Sequence, residues 1–375
     1  MSGAELAFVG LPAAATPASA TPIAAVPVPA AKGLAGTVGR PATEPPEAHG
    51  LDRDEVRLLI AGDGAIRHAR FRELPRFLRR GDLLVVNGSA TLPAAIDGSR
   101  GDGSDVVVHF STALDDGSWV VEVRPPGRAT GPVGDARQGE LVVLAGGAEL
   151  RLLASYPAAV AAPTRLWRAS VSVADGVVPM LDRHGRPIAY AYVEGRWPLA
   201  AYQTVFARHP GSAEMPSAGR PFTRRLVAQL LAAGIEIAPV LLHTGVSSLE
   251  AGEPPLPERF EVGVATAKRI EAAHRARRRV IAVGTTAARA VETVAETDGT
   301  LRAAAGWTDL QLGPERPARV VDAILTGWHE PGTSHLRLLE AVAPPDTVRR
   351  AYREAVASAY LWHEFGDSCL LFGGT

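Results

Sequence analysis

The 375-residue chain is long enough for two domains, because single hydrophobic cores usually stop growing beyond about 250–300 residues. Lysine and arginine number 39 against 40 aspartate and glutamate, and the resulting net charge of −1 excludes a whole-chain attraction to nucleic acid or an anionic membrane, so any RNA contact must come from local patches. The only cysteine is Cys369, which excludes an internal disulfide framework and a cysteine-cluster metal site and predicts a reducing compartment.

The N-terminal segment from about Pro12 to Pro46 is rich in alanine, proline and threonine and poor in large apolar residues. Such a composition cannot bury enough surface to offset the entropy lost on ordering, so it predicts a flexible segment. The N-terminus lacks a basic start followed by a continuous apolar core, and no stretch has the ~18 consecutive apolar residues that span a bilayer. We therefore expect a soluble, cytoplasmic protein with no export signal and no membrane partner.

Between Gly81 and about Val173, short β-branched runs alternate with Gly, Asp and Pro turns. The runs are Leu83–Val86, Val106–Phe110, Trp119–Val123, Leu141–Leu144 and Leu166–Val173. This rhythm of strand and turn predicts a small antiparallel sheet or barrel.

The segment Ala201–Phe222, AYQTVFARHPGSAEMPSAGRPF, is a long loop punctuated by glycine and proline. Tyr202 offers a ring for stacking, and Gln203 and Thr204 offer hydrogen-bonding groups. Long structured loops in compact domains are often functional, so the segment predicts a ligand contact. The alternative is a surface excursion without a ligand.

From about Thr223 the pattern becomes helix then strand, which predicts βαβ units and a largely parallel sheet. The predicted elements are a helix at Thr223–Ala233, a strand at Ile235–Leu242, a helix at Glu261–Arg277, a strand at Val280–Val283, a helix from about Thr286 and a strand at Arg319–Leu325. Three of these strands lead into HTG, GTT and TGWHEPG. Because ligands collect at the carboxyl ends of strands in open α/β sheets, we expect these three loops to wall one site.

The segment Val280–Ala290, VIAVGTTAARA, runs from a buried strand through a tight turn into a helix. Gly284 allows the turn, and Thr285 or Thr286 can cap the helix. Free N–H groups and the helix dipole favour a carboxylate or phosphate there. The alternative is an ordinary helix cap with no ligand.

Two histidines stand at predicted strand ends, His243 in LLHTG and His329 in TGWHEPG. An imidazole in such a place can act as an acid, a base or a hydrogen-bond donor. The alternative for each is a structural histidine with satisfied hydrogen bonds. Neither has a third ligand at metal-like spacing, so we expect no metal.

Arginine clusters are a further candidate for RNA contact. They lie at Arg76/Arg79/Arg80, Arg224/Arg225, Arg275/Arg277/Arg278/Arg279 and Arg349/Arg350. Each forms either a solvated helix face or, if the clusters converge on one surface, part of an RNA footprint.

Several blocks resemble, in order and spacing, the signature blocks of the S-adenosylmethionine:tRNA ribosyltransferase-isomerases of queuosine biosynthesis. They are GDLLVVNGSATLPAAI, AYQTVFARHPGSAEMPSAGRPF, LLHTG, RRVIAVGTTAARAVET, RVVDAILTGWHEPGTS and AYREAVASAY followed by FGDS. AELAFVGLP resembles the family's opening strand and turn, so the resemblance covers nearly the whole chain apart from the Ala/Pro-rich insertion. The sequence is thus identified as a divergent member of this family.

The resemblance implies a mixed, largely parallel α/β catalytic domain interrupted by a small antiparallel β-barrel domain. On this chain the N-terminal part of the catalytic domain would occupy 1–80, with the flexible segment at about 12–46. The inserted barrel would occupy 81–175 and the main α/β catalytic part 176–375.

The resemblance also implies a reaction: the ribosyl group of S-adenosylmethionine is transferred and isomerised onto 7-aminomethyl-7-deazaguanine at the wobble position of the tRNA anticodon. The products are epoxyqueuosine, adenine and methionine. A sulfonium beside C5′ makes the C5′ proton removable by a base, and hydrogen bonding or proton donation helps adenine leave. S-adenosylmethionine is then the ribosyl-donating substrate and the tRNA anticodon loop the partner.

Carried onto this sequence, the family's site residues fall into three groups. The candidates for proton transfer are His243, His329 and, as a second base, Glu258. The candidates for an anionic group of S-adenosylmethionine are Gly284, Thr285, Thr286 and Arg289. Tyr202, Gln203 and Asp367 would help shape the pocket.

This sequence departs from the family pattern mainly at polar pocket positions. Arginines are expected where Ala90 and Ala95 stand, and a paired asparagine has become Asn87–Gly88. Further changes lie at Pro216–Pro221, where a histidine is lost and Arg220 gained, at Thr244–Ser248, at Pro255 and Leu256, and at Gly327. Two alternatives therefore stay open: ribosyl transfer to a different nucleobase or small-molecule acceptor, or a non-catalytic nucleotide- or RNA-binding paralogue.

Overall fold

The computed structural model of the chain describes residues 39–127, 131–157, 165–246, 256–330 and 334–374. The strands are β1 (Arg40–Pro41), β2 (Arg57–Gly62), β3 (Ala65–Arg70), β4 (Leu83–Asn87), β5 (Ser89–Thr91), β6 (Ala95–Arg100), β7 (Asp105–Ala113), β8 (Trp119–Arg124), β9 (Leu141–Leu144), β10 (Glu149–Tyr156), β11 (Leu166–Ser172), β12 (His209–Ser212), β13 (Glu236–Leu242), β14 (Glu258–Val262), β15 (Val280–Val283), β16 (Ala304–Thr308), β17 (Ala323–Gly327), β18 (Leu361–Trp362) and β19 (Ser368–Phe372). The α-helices are α1 (Val177–His184), α2 (Arg224–Ala232), α3 (Val264–Arg275), α4 (Thr285–Thr293), α5 (Ser334–Val342) and α6 (Pro345–Ala357). Short 3-10 helices lie at Pro46–His49, Arg53–Glu55, Phe71–Phe77, Leu199–Tyr202 and Ser217–Gly219.

A nine-stranded sheet with the order β16-β14-β13-β4-β15-β17-β19-β2-β3 forms the larger part of the fold. Its central strands β13, β4, β15 and β17 are parallel, whereas β19 is antiparallel to β17. Apolar residues of α3 to α6 pack on one face, and those of α2 and the helix Phe71–Phe77 pack on the other. Cover on both faces explains why β4 and β15 are buried along their whole length. The predicted mixed, largely parallel α/β sheet is confirmed.

The strands β6 to β11 close into an antiparallel barrel in the order β10-β11-β8-β7-β6-β9. Buried valines and leucines fill it together with Phe110, whose ring meets Trp119 edge-on with the ring centroids 5.5 Å apart. The predicted barrel is confirmed. The expectation that Leu83–Val86 belongs to it is wrong, because this run forms β4 in the centre of the large sheet and the barrel begins at Ala95. A fully apolar run is typical of a parallel strand covered on both faces.

The segment predicted to be flexible is ordered in its described part. Residues 12–38, like the opening AELAFVGLP, lie outside the described residues, but β1 pairs in parallel with β18. Ala42 is buried, and its N–H donates to the carbonyl oxygen of Trp362 at 3.0 Å. The described end of the segment is therefore held by backbone pairing to the C-terminal part of the chain, and the flexibility expected of the segment stays a prediction.

Two predicted helices fit the structure differently. α2 follows Thr223, whose Oγ1 accepts the N–H of Leu226 at 3.1 Å as an N-cap. The predicted helix at Glu261–Arg277 is shorter, because Glu258–Val262 forms β14 between β13 and β16 and α3 starts only at Val264. No helix among the described residues is long and apolar enough to cross a membrane.

The strand predicted at Arg319–Leu325 begins later, at Ala323. The buried carboxylate of Glu292 accepts the N–H groups of Val320 and Val321 at 2.9 and 3.0 Å. Those N–H groups bond to a side chain on α4 instead of to a neighbouring strand. The strand pairing of β17 therefore starts only at Ala323.

The parallel strands β13, β4, β15 and β17 are neighbours, so their carboxyl ends lie side by side at one edge of the sheet. The strands end at Leu242, Asn87, Val283 and Gly327. This edge therefore gathers the residues that follow, His243, Gly284 and Trp328 with His329.

Candidate active site

Asn87, the last residue of β4, holds the strand ends in place. Its side-chain nitrogen donates to the carbonyl oxygen of Leu242 at 2.8 Å and to Thr286 Oγ1 at 3.2 Å. Its side-chain oxygen accepts the N–H groups of Leu242 at 3.1 Å and Ser89 at 3.0 Å. Because the side chain is buried and fully hydrogen-bonded, it fixes β4, the end of β13 and the first turn of α4 relative to one another.

His243 directly follows β13 and is half-buried. Its Nδ1 lies 2.7 Å from Ser89 Oγ, which lies 2.6 Å from Ser212 Oγ. The N–H of Thr244 donates to Ser212 Oγ at 3.0 Å. Ser89 thus occupies Nδ1, and no hydrogen bond to Nε2 forms within the part of the chain that the structure describes.

The surroundings of His243 keep its imidazole neutral at pH 7. Burial, and after it the positive charge of Arg259, lower the pKa of His243 to about 4. A neutral imidazole can accept a proton or a hydrogen bond through its free nitrogen. The arrangement therefore suits a base or a hydrogen-bonding group.

Gly211 in β12 lies directly against the ring of His243. A β-carbon at Gly211 would lie 2.5 Å from Cε1 and 2.6 Å from Nδ1 of the imidazole, closer than real side chains approach. The glycine thus lets the two segments meet, and any larger residue would have to displace the ring.

The first turn of α4 begins after Gly284, whose φ of 92° favours glycine. The N–H of Gly284 donates to the carbonyl oxygen of Leu325 at 2.8 Å, and no side chain caps the helix. The predicted turn and helix start are confirmed, but the N-cap residue is Gly284 and not the expected threonine. The first-turn N–H groups and the dipole favour an anion here, and the bound anion itself stays a prediction.

Arg289 on α4 forms an ion pair with Glu258 at the start of β14. The two side chains are mostly buried, with 12% and 14% of their surfaces exposed. Arg289 also donates to the carbonyl oxygen of Leu310 at 3.1 Å, and Glu258 accepts the N–H of Gly245 at 3.3 Å. The pair therefore joins α4 to the loop that carries His243.

The rings of His329 and His335 stack with their centroids 4.1 Å apart and an angle of 17° between their planes. Burial and then the charge of Arg289 lower the pKa of His335 to about 4. Burial, followed by the neighbours His335 and His363, holds the pKa of His329 well below its usual range. Both imidazoles are thus neutral at pH 7. His335 lies near Arg289 of the Arg289–Glu258 ion pair, whose charge acts on its ring.

Two predicted loop residues have different surroundings. Gln203 is held by the main chain of Thr91, whose N–H donates to Oε1 at 3.0 Å and whose carbonyl oxygen accepts from Nε2 at 2.7 Å. The ring of Tyr202 packs against Phe365 with the centroids 5.2 Å apart. Its hydroxyl is buried and has no hydrogen-bond partner among the described residues. Gln203 therefore orders the loop, while the ligand contact expected of Tyr202 stays a prediction.

Asp367 directly precedes β19, whose first residue, Ser368, pairs with Gly327 at the end of β17. Its buried carboxylate accepts the N–H groups of Arg57 at 2.6 Å and Leu361 at 2.8 Å, one on each oxygen. Burial raises the pKa of this carboxyl. The side chain thus joins the start of β2 to the turn between β18 and β19.

Arg220, the cation gained relative to the family pattern, points into the protein and is 2% exposed. It donates to the carbonyl oxygen of Ala201 and to Glu47, both at 2.9 Å, and its guanidinium lies 4.8 Å from the centre of the Phe365 ring. The changed residue therefore supports the loop beneath Tyr202 instead of adding a free charge to the site.

The structure connects His243, Glu258, Arg289, the Gly284–Thr286 turn and the His329–His335 pair along one sheet edge. Ser89, Ser212 and His335 also lie at this edge, although they were not among the residues predicted from the sequence. His335 had a signal, since it follows TGWHEPGTS at the start of a helix, whereas the serines meet only through the fold. Of the changed positions, Ser247, Ser248 and Pro255 lie outside the described residues. Within the described ranges, no group of three or more His, Cys, Asp or Glu side chains could hold a metal ion.

Comparison with known proteins gives concordant matches. A model of the family described as queuosine biosynthesis protein matches residues 39–371. An S-adenosylmethionine:tRNA ribosyltransferase-isomerase from Symbiobacterium thermophilum is 37% identical over 332 residues, covering 85% of this chain and 93% of that protein. One from Moorella thermoacetica is 35% identical over 350 residues, with 85% and 93% covered.

A crystal structure of S-adenosylmethionine tRNA ribosyltransferase from Thermotoga maritima is 27% identical to this chain, covers 88% of it and 95% of its own chain, and has a TM-score of 0.48. The family match extends over most of the chain, and the two sequence relatives exceed 30% identity over 85% of it. The chain therefore belongs to the queuosine biosynthesis protein family.

Proposed function

We propose that the protein is a cytoplasmic S-adenosylmethionine:tRNA ribosyltransferase-isomerase. It transfers and isomerises the ribosyl group of S-adenosylmethionine onto 7-aminomethyl-7-deazaguanine at the tRNA wobble position, forming epoxyqueuosine and releasing adenine and methionine. Relatives of this name align along most of the chain. One observation carries the proposal. Asn87 hydrogen-bonds both to Leu242, the residue before the neutral His243, and to Thr286 in the uncapped first turn of α4, so it holds the imidazole and the helix start close together.

S-adenosylmethionine would bind with its carboxylate at the first turn of α4, where N–H groups and the helix dipole favour a negative charge. Its sulfonium makes the adjacent C5′ proton acidic. The neutral imidazole of His243 is then a base that can take this proton on Nε2, while Ser89 on Nδ1 fixes the ring.

The neutral pair of His329 and His335 would serve the second half of the reaction. One imidazole N–H can donate a hydrogen bond to the departing adenine, and the other ring can accept the proton that the attacking amine loses. Glu258 is held by Arg289, so the two together offer a fixed charge pair beside these groups.

Release of adenine and methionine tests the proposal. The purified protein is incubated with S-adenosylmethionine and a tRNA that carries 7-aminomethyl-7-deazaguanine, and both products are quantified by mass spectrometry. We expect equal amounts of the two products, and none with the same tRNA carrying guanine. Release with a free base or small amine but not with the modified tRNA would assign a different acceptor. No release with any acceptor would favour a binding protein.

We predict that Gly211→Ala lowers turnover in this assay about 10²-fold, because a misplacement of ~1 Å in a catalytic group can cost that much. The added β-carbon would occupy the space of the His243 ring. Gly101→Ala is the matched control, since nothing lies within 4 Å of a β-carbon at Gly101. A Gly211→Ala variant that works at the parental rate would show that the position of this ring is unimportant.

A further inference from the structure

Three aromatic side chains form a column beside the candidate site. The rings of Tyr190 and Tyr192 stack with centroids 5.8 Å apart and an angle of 14° between their planes. The ring of His363 stacks on Tyr192 at 4.4 Å and 20°. All three side chains are half-buried, so the column reaches solvent. His363 has a φ of 72°, a left-handed conformation rare for a non-glycine residue.

The column is fixed to both histidine-bearing loops. The Tyr190 hydroxyl donates to the carboxylate of Glu214, whose carbonyl oxygen accepts from Thr244 Oγ1 at 2.6 Å, one residue after His243. At the other end, the N–H of His363 donates to the carbonyl oxygen of Trp328 at 3.2 Å, one residue before His329. The rings thus span the distance between the two loops.

A buried polar atom beside the column lacks a partner. Tyr202 is 4% exposed, and its hydroxyl has no hydrogen bond among the described residues. Burial, and then the charge of Glu364, raise the pKa of Tyr202 to about 12, so the hydroxyl keeps its proton. Glu364 accepts the Tyr192 hydroxyl at 2.6 Å, which links Tyr202 electrostatically to the column. A buried hydroxyl without a hydrogen bond destabilises the folded state unless a ligand supplies the missing partner.

We propose that the Tyr190–Tyr192–His363 column and the Tyr202 hydroxyl together form a binding site for a planar nucleobase. Aromatic faces stack on bases of any sequence, and the hydroxyl can donate to a ring nitrogen or carbonyl oxygen of the base. The inference rests on the proposed function, which supplies two sources of such a base. These are the adenine of S-adenosylmethionine and an unpaired base of the tRNA anticodon loop.

Two substitutions test the site in the full-length protein. Tyr190→Leu removes the ring at the end of the column, and Tyr202→Phe removes only the unpaired hydroxyl. Calorimetry measures the affinity for S-adenosylmethionine, and fluorescence anisotropy measures that for a labelled anticodon-arm RNA hairpin. Tyr156→Leu, which removes a barrel tyrosine outside the column, is the control. Melting temperature is recorded for every variant.

We expect Tyr190→Leu to weaken the binding of S-adenosylmethionine or of the hairpin by about fivefold or more, as the loss of a stacking ring does. Tyr202→Phe should weaken the binding of the same ligand. It should leave the melting temperature of the free protein equal or higher, because the buried hydroxyl that it removes has no hydrogen-bond partner among the described residues and therefore costs stability. Loss of affinity for S-adenosylmethionine alone identifies its adenine, and loss for the hairpin alone identifies an RNA base.

The inference is overturned if both variants bind both ligands within twofold of the parent, or if the parent binds neither. Adenine release by the parent protein, measured separately, tests the proposed function independently of the base site. Release with unchanged affinities in the variants removes the base site and keeps the function. If the variants bind more weakly but the parent releases no adenine, the base site is supported and the proposed function is wrong.

Discussion

Replacing His243 by alanine is expected to lower turnover by about 10²–10⁴-fold, the usual contribution of a general acid–base group. The ring sits at the carboxyl end of β13 with Nδ1 on Ser89, and burial lowers its pKa to about 4, so Nε2 is free to accept a proton at pH 7. The residue is half-buried and lies outside the hydrophobic clusters, so the fold should persist. Single-turnover rates of the parent and variant measure the loss.

Melting temperature and pH dependence separate this role from a structural one. A structural histidine would lower the melting temperature on removal, with activity per folded molecule largely preserved. A catalytic one should give a parental kcat/KM that falls as pH drops through about 4, where His243 becomes protonated, and this limb should vanish in the variant. A variant within about threefold of the parent, well short of the expected loss, would exclude proton transfer by His243.

Replacing Gly284 by valine is expected to weaken the binding of S-adenosylmethionine by about ten- to a hundredfold, the range for losing a hydrogen bond to a charged group. With φ at 92°, a β-branched residue is strained, and its β-carbon would lie 3.3 Å from that of Ala218. Either effect shifts the first turn of α4 away from the carboxylate. Calorimetry at constant pH measures the affinity.

A matched variant controls for the substitution itself. Gly263 stands at the N-cap of α3 with an ordinary φ of −72°, and nothing lies within 4 Å of a β-carbon there. Gly263→Val should therefore bind S-adenosylmethionine as the parent does. Equal affinity in Gly284→Val, with the variant folded, would place the ligand elsewhere.

The sheet and the barrel could be predicted because hydrophobic periodicity is a local property of the chain. The run Leu83–Val86 shows the limit of that reasoning. It precedes the barrel strands and shares their composition, yet it pairs with β13 and β15, which lie much later in the chain. Only its lack of polar alternation indicated a strand covered on both faces.

The candidate site was predictable where residues follow strand ends. His243 and Gly284 fall at one edge because parallel neighbouring strands end together. The serine pair of Ser89 and Ser212 was not predictable, since their oxygens meet across segments that are far apart in sequence. Conversely, residue type alone could not indicate that the Asp367 carboxylate is taken up by main-chain N–H groups.

The fate of the ribosyl carbons tests the central claim most directly. The protein is supplied with S-adenosylmethionine labelled with ¹³C in its ribosyl group and with tRNA that carries 7-aminomethyl-7-deazaguanine, and the tRNA is digested to nucleosides for mass spectrometry. We predict that the complete labelled ribosyl skeleton appears in the wobble nucleoside as epoxyqueuosine. A wobble nucleoside without label, or one that has gained only a methyl group from S-adenosylmethionine, would contradict it.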